Sequence, residues 1–198
     1  MDSMEAQVQQ EVARIVSIVE ELTVLPSQWS GRLELVPQAE FLGKKLYSCD
    51  ILLNADLVQR PVRWRTLIHE VLHSVSAGYI RADYDALIGW EEGTVEHLQR
   101  LLRRQMLNAL PVSAPERMFV EAGYAFNPYI DALEDMRNAL KAPSLDFYLR
   151  LLSTAIASRP GAVLGQAIAM PGAARRDVIA TLSRSNAILR EVIRHDRE

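Results

Sequence analysis

The sequence predicts an α+β chain with one small sheet and a mostly helical remainder. Apolar residues recur at helical spacing near the N-terminus. Period-two alternation is confined to the stretch between Leu33 and Leu53, and every later apolar pattern is helical with a proline or glycine boundary. The 198 residues suit a single domain spanning 1–198, with the sheet and first helices in 1–110 and a helical subdomain in 111–198. Hydrophobic residues at 49% and charged residues at 24% exclude wholesale disorder. The single cysteine, Cys49, excludes a disulfide framework and a cysteine-rich zinc ribbon.

The elements follow in order. Val8, Val12, Ile15, Val16, Val19 and Leu22 mark one face of a helix over 4–22, which Leu25-Pro26-Ser27 ends. Leu33 to Val36 reads as a short strand. Gly43-Lys44-Lys45 reads as a turn before a longer strand reaching Leu53, an edge strand able to pair with an extended peptide. Pro61 suits the first turn of a helix that carries Trp64, Leu67, Ile68, Val71 and Leu72 and stops at Gly78. A polar loop, Tyr79 to Asp85, leads to a helix capped by Asp85 and ended by Pro111. Helices are expected over 128–140, 144–158, 161–170 and 173–195.

One motif carries chemistry. His69-Glu70-Val71-Leu72-His73 is an HExxH, and residues four apart on a helix share a face, so both imidazoles can reach one ion. Glu70 follows the first histidine and can aim its carboxylate at a metal-bound water. With 4 histidines in the chain, about 0.006 such matches are expected by chance. Hydrolytic zinc takes three protein ligands and keeps a position open. Glu92, with eighteen residues between it and His73, supplies a third on the next helix. Glu91 beside it shares a face with Leu87, Val95 and Leu98, so either carboxylate can point inward. Two histidines and a carboxylate favour zinc (Zn2+) over magnesium or calcium.

HExxH, then Glu92-Gly93 with Trp90 just before, resembles the gluzincins, the zincin group of thermolysin-like and aminopeptidase N-like enzymes. The resemblance covers about Leu33 to Met106. It implies a zincin-like fold, a small sheet packed on the HExxH helix, with His69, His73 and Glu92 as zinc ligands and Glu70 as the base. It also implies that Glu96, one turn on, supports the ligands without touching the ion. A hydroxyl for the developing oxyanion is then expected. Tyr84 stands at a spacing similar to that of a thermolysin-like tyrosine, with Tyr124 and Tyr129 as rivals. The Gly-x-Met-Glu-Asn motif of aminopeptidases is absent, and the residue six after His73 is Tyr79 rather than the metzincin histidine.

The expected function is zinc-dependent peptide-bond hydrolysis, with Glu70 activating a zinc-bound water and a peptide or protein as substrate. Two rivals are a regulatory cytoplasmic HExxH protease acting on one protein partner and a non-catalytic helical interaction protein with a vestigial zinc site. His97, about 140° round the helix from Glu92, reads as a non-ligand, His195 as solvated, and Cys49 as a small buried hydrophobe. A net charge of −3 argues against a nucleic-acid polycation, although the segment after Arg150 is locally basic. No apolar run reaches the ~18 residues of a membrane span, and no basic and apolar leader opens the chain. The expected location is therefore the cytoplasm.

Overall fold

The structure is a computed structural model, and it describes residues 3–113 and 126–191. The described chain is α+β with one three-stranded sheet and mostly helical content. No helix among the described residues is long and apolar enough to cross a membrane. Two compact units emerge, one holding residues up to Val75 and from Gln99 to residue 113, the other Ser76–Leu98 and residues 126–191. Their boundaries fall just after the HExxH helix and inside the helix that follows Leu87.

In the first unit, helix α1 (Ser3–Thr23) buries Val8, Val12, Ile15 and Val19 of the expected stripe and leaves Val16 and Leu22 half-buried at its edges. Val24 takes a left-handed conformation that ends the helix ahead of Pro26. Strands β1 (Leu33–Val36), β2 (Gly43–Lys45) and β3 (Ile51–Asn54) form a sheet of order β1-β3-β2. β1 runs parallel to β3, pairing Leu33 with Ile51, and β2 runs antiparallel, pairing Lys45 with Ile51. Helix α2 (Val62–Ser74) packs on β2 and α1, and Trp64, Leu67, Ile68, Val71 and Leu72 are all buried.

The expected turn at Gly43-Lys44-Lys45 and long strand beyond it are corrected. Gly43–Lys45 is itself a strand, and the chain reverses at Leu46–Asp50, where the Leu46 amide donates to the Asp50 carbonyl and Cys49 adopts φ +68°. The reason is tertiary. A Cβ on Gly43 would lie 2.4 Å from Thr66 Cγ2, so only glycine lets β2 approach α2 this closely. β3 is central and paired on both sides, so it is not the expected edge strand; β2 is an edge. Cys49 is half-buried in the turn rather than in the core.

In the second unit, the expected polar loop holds a short helix, α3 (Arg81–Ala86). Asp85 lies inside it, with a carboxylate oxygen 3.5 Å from exposed Arg81, and does not cap the next helix. Helix α4 (Ile88–Ala109) follows, continuing into the first unit. Helices α5 (Asn127–Leu140), α6 (Ser144–Ser153), α7 (Arg159–Ile168) and α8 (Gly172–Ile188) complete the unit, with α8 packed on α5 and α7. The single helix expected over 144–158 is broken at Thr154, which is extended. Ala77 explains the break: its amide donates to the Leu152 carbonyl and its carbonyl accepts from the Ile156 amide.

Candidate metal centre

The two histidines of the HExxH stand on α2, where four residues make just over one turn. His73 is buried and His69 half-buried. Their Nε2 atoms are 3.1 Å apart and their rings meet edge to face. Two nitrogens each ~2.05 Å from one ion at the tetrahedral angle would be about 3.3 Å apart, so the pair already has the spacing of a shared ion.

Glu70 faces the sheet. Its carboxylate is buried, and Oε2 accepts the Lys45 amide of β2 at 2.7 Å. The Gly43 contact explains this proximity, because Glu70 Cγ would lie 3.1 Å from a Cβ there. The candidate base is thus tied to the backbone of an edge strand.

The start of α4 separates the two adjacent glutamates. Glu91 is fully buried and engaged: Oε2 lies 2.7 Å from Arg159 Nη1 and accepts the Ser76 hydroxyl at 2.8 Å. Arg159, also fully buried, donates further to the Trp90 and Thr154 carbonyls and to Ser76 Oγ. Gly89 and Gly93, one turn apart, bring α4 close to neighbouring backbone. A Cβ on Gly89 would lie 2.6 Å from the Leu189 carbonyl oxygen, and one on Gly93 would lie 3.0 Å from Tyr129 Cβ. The glycine after Glu92 therefore has a packing reason of its own.

Glu92 points about 100° away from Glu91. It is buried, and its Oε1 accepts the Tyr84 hydroxyl of α3. One ligand atom from each of His69, His73 and Glu92 lies within 4.8 Å of the other two. Two imidazoles and a carboxylate are the borderline-soft donor set that suits zinc.

The remaining candidates divide. Glu96 is buried on α4 rather than a solvated helix charge. Tyr129 is buried and its hydroxyl donates to the Glu191 carbonyl at 2.6 Å, which directs it to the segment just past the end of α8. Tyr124 and His195 lie outside the described residues. His97 stands outside the His69–His73–Glu92 group. Its Nε2 is 3.6 Å from Glu134 and its ring centroid 4.3 Å from that of Tyr148. Burial alone would raise the pKa of Glu134. Hydrogen bonds from Arg137 and Tyr148, with the charges of His97 and Arg137, outweigh it and hold the carboxyl below its ordinary value.

Sequence reasoning missed Arg159 and Ser76. The local signal for Arg159 is slight, a lone arginine between the apolar positions Ile156 and Val163. Nothing near it in sequence names its partner.

No protein-family model, curated protein or solved structure matches this chain.

Proposed function

We propose that the protein is a zinc-dependent hydrolase of peptide bonds, with His69, His73 and Glu92 holding the ion. The convergence of these three side chains, two of them 3.1 Å apart at their ring nitrogens, carries the reading. The fit rests on donor chemistry: one carboxylate oxygen suffices for a monodentate ligand, so a carboxylate that accepts the Tyr84 hydroxyl can still hold the ion. A zinc ion there would polarise a carbonyl and lower the pKa of a water.

This chain's residues do the rest. Glu70 takes the proton of the attacking water while Oε2 stays anchored on the Lys45 amide, then passes it to the leaving amine as the C–N bond breaks. That anchor fixes the carboxylate's orientation, which general-base catalysis requires. The His69 and His73 rings stand one turn apart on α2 and meet edge to face. The sequence resemblance to gluzincins favours the same assignment. The proposed substrate is a peptide or protein, acted on in the cytoplasm.

Glu70→Gln tests the reading. The variant keeps size and fold and should retain about one zinc per chain, while hydrolysis falls by about 10²–10⁴-fold. The same protein should still bind its substrate and so can trap it. Wild-type cleavage by Glu70→Gln would refute the mechanism. Zinc without any cleavage, together with a partner bound equally by wild type and Glu70→Gln, would favour a non-catalytic interaction protein.

A further inference from the structure

We infer that Tyr84 is a positioning residue that orients Glu92 toward the ion, and not the donor to the developing oxyanion. The inference rests on the zinc reading above and assigns a second layer to the same site. The hydroxyl of Tyr84 donates to Glu92 Oε1. A glutamate carboxylate, placed by three torsions, can swing through several rotamers, and an ion selects the few that aim a lone pair at it. A fixed donor on one oxygen removes that freedom in advance.

Tyr84 is itself fixed. It lies in α3, where its amide donates to the Ile80 carbonyl and its carbonyl accepts from Leu87. Its ring rests against Tyr79 at 5.3 Å between centroids. Glu92 lies eight positions after it, so the turn between α3 and α4 sets the distance between donor and carboxylate. The start of α4 is fixed independently by Glu91 on Arg159 and by the Gly89 and Gly93 contacts. Both ends of the Tyr84–Glu92 hydrogen bond are thus anchored, as a ligand-orienting contact needs. A hydroxyl reserved for an oxyanion would instead have to leave Glu92 when substrate arrives.

The experiment measures Zn2+ affinity of the full chain by competition with a chromophoric chelator, for wild type, Tyr84→Phe and the control Tyr79→Phe. Tyr84→Phe removes one oxygen and keeps the ring on Tyr79. The expected result is a 10–100-fold loss of affinity, the usual effect of removing a ligand's hydrogen-bond partner. Tyr79→Phe should match wild type, and the metal-free melting temperature of Tyr84→Phe should fall only by what one lost hydrogen bond accounts for. Co2+ substituted for zinc should show a shifted visible absorption band in Tyr84→Phe, reporting the altered carboxylate.

Unchanged zinc affinity and an unchanged Co2+ spectrum in Tyr84→Phe would overturn the inference and return the hydroxyl to the oxyanion role. A weaker affinity accompanied by an equally lowered metal-free melting temperature would overturn it too, since that marks a merely structural residue. If wild type binds no Zn2+, or His69→Ala/His73→Ala binds it as wild type does, the zinc reading itself fails and takes this inference with it. Failure of the inference alone leaves wild-type binding and its histidine dependence intact.

Discussion

Glu91 and Arg159 form a fully buried ion pair, Oε2 to Nη1 at 2.7 Å, joined by the Ser76 hydroxyl. The pair links α4 to α7 and engages the glutamate that competes with Glu92 for the role of third ligand. Removing one partner would strand the other charge where water cannot reach it.

Glu91→Ala should therefore destabilise the fold by about 3–5 kcal/mol, read as a lower urea midpoint, and so should Arg159→Ala. Glu92→Ala should show the opposite profile, with a small change in metal-free stability and a strong loss of zinc affinity. The discriminating measurement is zinc affinity against metal-free stability for the two alanine variants. A Glu91→Ala protein of wild-type stability that no longer holds zinc would move the ligand by one residue.

The glycines of this unit should respond in opposite directions. Gly89→Ala places a Cβ 2.6 Å from the Leu189 carbonyl oxygen, which is backbone and cannot swing away. Overpacking of this kind costs about 1–3 kcal/mol. Gly165, in α7, has nothing within 4 Å of a built Cβ. Gly165→Ala should stabilise the protein by about 0.5–1 kcal/mol, since alanine loses less backbone freedom in a helix. Denaturant unfolding of both variants checks the pair, and equal shifts of the same sign would refute the packing account.

Glu134 gives the pH dependence a sign. Its carboxyl is held below its ordinary value of 4.5 in the fold, with burial opposed by the hydrogen bonds of Arg137 and Tyr148. A depressed folded value stabilises the protein above the unfolded pKa, and this contribution is lost as pH falls through the folded value. The stability difference between wild type and Glu134→Gln should hold steady near neutrality and shrink on acidification below the ordinary glutamate value. A difference that grows on acidification would contradict the assignment.

Metal removal should lower thermal stability. At free zinc about 100-fold above Kd, binding contributes about 2.7 kcal/mol, which a chelator would abolish. Calorimetry with and without chelator should show the shift in wild type and none in His69→Ala, with about one zinc per wild-type chain by elemental analysis. An equal shift in both proteins would place the stabilising metal elsewhere.

Several features were legible in the sequence because they are written in local pattern. The α1 stripe from Val8 to Val19 and the described helices from Asn127 to Ile188 follow from periodicity, and the bounds of β1 match Leu33–Val36. His69 and His73 share a face because α2 forms from its own apolar residues and Pro61. The HExxH spacing is itself local, so the pairing of the two imidazoles needed no tertiary information.

Other features were decided only by packing between distant residues. The strand at Gly43 exists because glycine fits against Thr66, and the break at Thr154 exists because Ala77 takes its neighbours' backbone hydrogen bonds. Glu91 and Glu92 have the same chemistry and adjacent positions, so no periodicity could rank them. Arg159, 68 residues beyond Glu91 in a different helix, engages one and leaves the other to the Tyr84 hydroxyl. Burial of an ion requires a partner at contact distance, and contact between residues so far apart in sequence is a property of the folded chain alone.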